Sequence, residues 1–156
     1  FITLVFGQVL LFNHLQVFGS INPILYLLFF IFYRFESNQT LLILLSFLLG
    51  FLIDFLSQSG GAHTIASLTI GFLRPLIIRY SFGDTMELPQ SYFSDSRTLN
   101  KLFFLVLLTV MHHLIYFTLI YFSLDAILLI TKNTIFTSLF SLILMVITLN
   151  FYPNRK

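Results

Sequence analysis

The sequence predicts an all-α, polytopic membrane helical bundle of about six transmembrane helices with both ends in the cytoplasm. Three observations carry that expectation. Of 156 residues, 58% are hydrophobic and only 9% are charged, with a mean hydropathy of +0.96. A water-soluble domain carries about 25% charged residues because its surface must face water, so this chain cannot cover itself with polar groups. Its apolar residues fall into six runs near the roughly 20 that a helix rising 1.5 Å per residue needs to cross hydrocarbon. The lysines and arginines at loops and span ends, finally, fall only at alternate connections.

The first run, 1–18, reads as a span rather than a cleaved signal, because no small-residue cleavage site follows it. The chain opens on Phe1 rather than Met, so further residues are expected to precede it. The second run, 21–35, is the weakest. Asn22-Pro23 makes a good helix start, since proline in the first turn sacrifices no hydrogen bond, but Arg34 ends the run short of a standard span. It crosses if Arg34 snorkels and the bilayer thins locally; a half-inserted segment is the competing reading. Runs 39–57 and 62–80 form a helical hairpin through Gln58, Ser59, Gly60 and Gly61, whose glycines permit left-handed backbone angles. Runs 99–123 and 125–150 complete the set. The polar stretch 81–100, with Gly83, Asp84, Glu87, Pro89, Asp95 and Arg97, reads as an extramembrane loop. No soluble domain fits between the spans, so residues 1–156 form a single integral membrane domain.

Orientation follows from the cations, which are retained in the cytoplasm. Arg34, Arg79, Arg97, Lys101, Arg155 and Lys156 lie after the second and fourth spans and at the C-terminus, while the loops after spans one, three and five carry none. The C-terminus is therefore expected inside, and the hairpin at Gln58 to Gly61 outside. The net charge of +2 and pI of 9.1 need no nucleic-acid partner, because these loop cations account for them. Cysteine is absent, which excludes disulfides, thiolate metal sites and a cysteine nucleophile. Tryptophan is absent too, so any interfacial aromatic belt is built from Tyr and Phe.

Polar groups at membrane depth are expensive unless paired or wet. Asp54, Arg74, His112, His113 and Lys132 qualify, with His14 and His63 nearer the boundaries. Asp54 sits one turn short of the outer end of span three, and His63 begins span four on that side. Arg74 lies 13 residues beyond Gly61, about 19 Å farther along the helix, so an Asp54–Arg74 ion pair is not expected. His63, the hairpin hydroxyls and Lys132 are the expected partners of Asp54. Pro75 frees a backbone carbonyl and loosens the helix beside Arg74. Counted from the outer end of span five, His112 and His113 fall at a depth comparable with Arg74, where the three could share one polar layer. The alternatives are that Arg74 snorkels to the cytoplasmic face and that one histidine faces lipid. Ala62 with Ala66, and Ser67 with Gly71, put small side chains one turn apart, and Gly50 lies one turn before Asp54. Spans three and four are thus expected to pack closely; recruitment of an external helix is the alternative.

The stretch Leu48-Leu49-Gly50-Phe51-Leu52-Ile53-Asp54-Phe55, followed by Ser59-Gly60-Gly61-Ala62-His63, resembles the MreD family of rod shape-determining membrane proteins. Ile21-Asn22-Pro23, Phe72-Leu73-Arg74-Pro75 and Met111-His112-His113 extend the resemblance over essentially the whole chain; it is the combination and order that carry it. The resemblance implies a non-catalytic member of the bacterial cell-elongation machinery in the inner membrane. It implies association with an MreC-like single-span periplasmic scaffold and, through it, with the MreB filament, RodA and a class B penicillin-binding transpeptidase that build lateral peptidoglycan. It also implies an architecture similar to the substrate-binding components of energy-coupling-factor vitamin transporters, an analogy of fold that does not fix function.

Three functions compete. A membrane scaffold uses the polar layer and small-residue faces to hold helices together. A substrate-binding subunit of a small-molecule transporter fits the size, but the docking Ala-x-x-x-Ala of that resemblance belongs on the first helix, whereas Ala62 and Ala66 lie in span four. An intramembrane enzyme lacks its constellations: there is no His-Glu-x-x-His, no Gly-x-Ser-x-Gly, and no second carboxylate facing Asp54 except Asp125 at the boundary. A serine–histidine dyad could in principle be assembled. No catalytic residue, cofactor or metal is expected.

Overall fold

The computed structural model of the chain describes residues 1–13, 15, 22–34, 38–83, 92–93 and 97–151. Every regular element among them is helical. Helix α1 (Ile2–Gly7) runs into a π-helical turn, Gln8–Phe12. It is followed by α2 (Leu28–Phe32), α3 (Gln39–Ser57), α4 (Ala62–Phe82), α5 (Thr98–Tyr121) and α6 (Ile127–Phe151). Helices α3 to α6 are long and apolar enough to cross a membrane, α6 together with the short 3-10 turn that precedes it. This is a membrane protein.

Within the first two expected spans the described residues are only partly helical. Ile2–Phe12 is an apolar helix shorter than a standard span, residues 14 and 16–18 of that run lying outside the described residues, and residues 22–34 are helical only over Leu28–Phe32. The cause is local and tertiary together. Pro23 disfavours helix at Asn22 and has no N–H to give, and the next amides bond to side chains instead. Ile24 N–H donates to Ser141 Oγ at 2.9 Å, and Leu25 N–H to Gln8 Oε1 at 2.7 Å. Segment 22–34 threads the centre of the bundle: Tyr26, Leu27, Phe30 and Ile31 are all 0% exposed.

Around it α3, α4, α5 and α6 pack in sequence, each against the next. Asn38 caps α3, its Oδ1 accepting from Thr40 N–H at 2.9 Å. Gln58, Gly60 and Gly61 all take positive φ, which turns the chain back within four residues. Near this turn a Cβ at Gly50 would lie 2.5 Å from the His63 carbonyl oxygen and 2.5 Å from Thr64 Cα, so α3 and α4 touch backbone to backbone. Farther along, a Cβ at Gly71 would meet Ser46. The small residues of α4 (Ala62, Ala66, Ser67 and Gly71) are all buried inside the bundle.

Pro75 deprives the Gly71 carbonyl of its helical donor. Gln39, at the start of α3, replaces it: Nε2 donates to Gly71 O at 2.9 Å. At the opposite end from the hairpin, Tyr92 packs 6.3 Å from the Phe104 ring with the Lys101 ammonium over it.

Gly50→Ala places a methyl against backbone that no rotamer change can move, and overpacking of this kind costs about 1–3 kcal/mol. Gly7→Ala has open space, with nothing within 4 Å of the added carbon. Thermal melting in detergent should show a clear drop for the first and none for the second.

Candidate functional site

The polar residues resolve into three groups, one at the hairpin and two along segment 22–34. At the hairpin, Asp54 takes four donors. Oδ1 accepts from Ser59 Oγ at 2.5 Å and His63 N–H at 3.2 Å; Oδ2 accepts from Thr64 N–H at 2.7 Å and Thr64 Oγ1 at 2.6 Å. Gly61, the N-cap residue of α4, has no side chain with which to cap it. His63 and Thr64 supply the second- and third-position amides that a capping carboxylate normally receives. Asp54 thus caps α4 from the preceding helix, where the positive end of the helix dipole favours its charge. Of its expected partners, His63 contributes through its backbone and the hairpin through Ser59. Lys132 does not: it lies on the exposed face of α6, roughly 200° around the helix from Thr134 on the buried stripe.

The second group centres on Tyr26. Its hydroxyl lies 2.7 Å from His112 Nε2 and 3.0 Å from His63 Nδ1, and Ser67 Oγ donates to it at 3.4 Å. The hydroxyl carries one proton, so it donates to one imidazole and accepts from the other; the two histidine tautomers are linked. His113 turns elsewhere. Its Nδ1 lies 2.7 Å from the Thr109 carbonyl, which can only accept, so Nδ1 carries the proton. His113 Nε2 then accepts from Ser141 Oγ at 3.3 Å, and Ser141 accepts in turn from Ile24 N–H. The adjacent histidines, about 100° apart around α5, therefore serve different partners, and both are 0% exposed.

Arg74 forms the third group and does not join the histidines. Only 2% exposed, it does not snorkel. Its Nε donates to Phe30 O at 2.9 Å and its Nη2 to Tyr33 O, with the guanidinium 5.6 Å from the Tyr33 ring centre. The physical reason is that α2 ends there, and its last carbonyls have no helical donors. Gln8 does the same for the other end of the segment: Nε2 donates to Pro23 O at 3.0 Å while Oε1 accepts from Leu25 and Tyr26. Pro75 stays on the exposed face, and His14 lies outside the described residues.

Sequence reasoning missed Gln8, Tyr26, Gln39, Thr64 and Ser141. Ser141 had a usable signal, since Thr134, Thr137, Ser138 and Ser141 recur at helical spacing on the buried stripe of α6. Gln8 had one too, as the lone amide within the apolar run Ile2–Phe12.

At the hairpin end Gln8, Ser59 and His63 border a cavity of about 620 Å³, lined also by Asn13, Asn22, Gln58 and Tyr116 among others. Among the described residues, no group of three His, Cys, Asp or Glu side chains is placed to hold a metal. No family model, curated protein or solved structure matches the chain.

Arg74→Leu leaves the buried Phe30 carbonyl and the half-buried Tyr33 carbonyl without these donors. Each orphaned group costs about 1–3 kcal/mol, so melting should fall well below wild type, with Arg74→Lys between. At the hairpin, Asp54→Asn retains one accepting oxygen and should lose roughly half the destabilisation seen for Asp54→Ala, about 1–2 kcal/mol by analogy with lost caps. Equal melting of all three Asp54 forms would remove the carboxylate from this role.

Proposed function

We propose that this protein is a non-catalytic membrane scaffold of the bacterial cell-elongation complex, of the MreD type. It would link an MreC-like single-span partner, and indirectly the MreB filament, to RodA and the class B penicillin-binding transpeptidase of lateral wall synthesis. On this reading it resides in the inner membrane with the C-terminus cytoplasmic and the Asp54 hairpin outside. All six apolar segments then belong to the membrane domain, the second as a broken segment buried among the others.

The observation that carries the reading is what the membrane-depth polar residues are doing. Asp54, Arg74, His113 and Gln8 each hold backbone groups of this same chain. Their hydrogen bonds organise helices rather than converging on a substrate atom. The small-residue face of α4 is likewise taken up internally, which leaves large apolar side chains for outside contacts. Phe47, Phe51 and Phe55 stack along the exposed face of α3 at 5.8 and 6.3 Å, and Phe72, Leu76 and Tyr80 project from α4.

Photo-crosslinkers at Phe51 and Phe72 in native membranes should capture a single-span partner, whereas one at exposed Ile143 on α6 serves as comparison. Mild-detergent purification should retain that partner. A chain that purifies alone, crosslinks only to lipid, and leaves cell shape unchanged when deleted would refute the scaffold reading.

A further inference from the structure

We propose that the cavity at the hairpin end binds a neutral, multiply hydroxylated head group of the sugar or polyol class. The inference goes beyond the scaffold reading and does not rest on it. Three features of the cavity carry it.

The first is that the walls are built. At about 620 Å³ the space falls within the range of small-molecule sites. Gln8, 1% exposed, uses both ends of its amide to fix the wall. It also donates to Asn13 Oδ1 at 3.0 Å, and Asn13 Nδ2 donates to Ser57 Oγ at 2.7 Å. These bonds tie the π-helical turn after α1, segment 22–34 and the end of α3 into one frame before any ligand arrives, which lowers the ordering cost of binding.

The second feature is the chemistry of the lining. None of its described lining residues is Asp, Glu, Lys or Arg, and the Asp54 carboxylate that holds Ser59 and His63 is already taken up by four donors of this chain, so an ionic ligand would be desolvated without a free counter-charge. What faces the space is amide, hydroxyl and imidazole: Asn22, Gln58, Ser57 and His63. The amides and the hydroxyl both donate and accept, and the His63 ring nitrogen does either according to its tautomer, as a ligand bearing several hydroxyls requires. Tyr116 and Phe117 add aromatic surface for the C–H faces of such a ligand, their rings 5.1 Å apart and T-shaped.

The third is His63. Its Nδ1 is engaged by Tyr26 and its ring lies 4.5 Å from Tyr116, which leaves Nε2 as the ring nitrogen for a ligand. Because Tyr26 links the two tautomers, a ligand hydrogen bond at His63 is felt at His112. His113, bonded to Thr109 and Ser141 instead, is outside that linkage.

The test is nitrogen-15 NMR of histidine-labelled protein in phosphatidylcholine nanodiscs, where only four histidines report. The probes are methyl glucoside in the buffer and monoglucosyl diacylglycerol in the bilayer, with phosphatidylglycerol as the anionic comparison. A saturable shift of the His63 ring nitrogens with a glucosyl probe is expected, while His113 stays in place. A response to the first identifies a free solute as the source, and a response to the second a lipid head group. Asn22→Phe, which removes a lining amide and narrows the cavity at its exposed rim, should abolish the shift with melting unchanged. No shift with either glucosyl probe, a shift only with phosphatidylglycerol, or an undiminished shift in well-folded Asn22→Phe would overturn the proposal.

Discussion

The whole arrangement depends on satisfying the backbone of a buried segment that is not a regular helix. In hydrocarbon, irregular backbone is tolerated only where protein surrounds it and supplies its hydrogen bonds. Segment 22–34 meets that condition through side chains from three other elements. Gln8 serves Pro23, Leu25 and Tyr26; Ser141 serves Ile24; Arg74 serves Phe30 and Tyr33. A wholly helical second span would have made these polar residues a liability. With the segment broken, each answers a particular unpaired group.

The same logic runs through α3 and α4. Proline at 75 removes a donor, and Gln39 restores it from the neighbouring helix. Glycine at 61 cannot cap α4, and Asp54 does so from α3. Gly50 lets the two backbones meet closely enough for that carboxylate to reach. The features that look like a partner-docking surface in one dimension are thus largely the internal fastening of a helical hairpin. Partner contacts, on the scaffold reading, fall to the phenylalanine-rich exterior.

Hydropathy and periodicity made the four long helices legible. The third run was expected at 39–57 and is found at Gln39–Ser57, and α4 begins at Ala62 as expected. The hairpin chemistry was readable as well, because glycine, hydroxyl and carboxylate lie within a dozen residues of one another. Segment 22–34 was not readable as a broken helix. An apolar run looks the same to a hydropathy scale whether helical or not, and its deciding partners lie 15 and 117 residues away at Gln8 and Ser141. Depth counting placed Arg74 beside the histidines, but depth says nothing about direction around a helix or about where α2 would end. Lys132 was misplaced for a reason the sequence did contain, since the hydroxyl stripe marks the inward face of α6 and excludes it.

Hydrogen–deuterium exchange resolved to single amides tests the central claim most directly, because exchange reports the free energy of opening each bond. The account predicts that the Ile24 and Leu25 amides, though outside any helix, exchange as slowly as those in the middle of α4. Exchange at the rate of a free, solvated loop would contradict it.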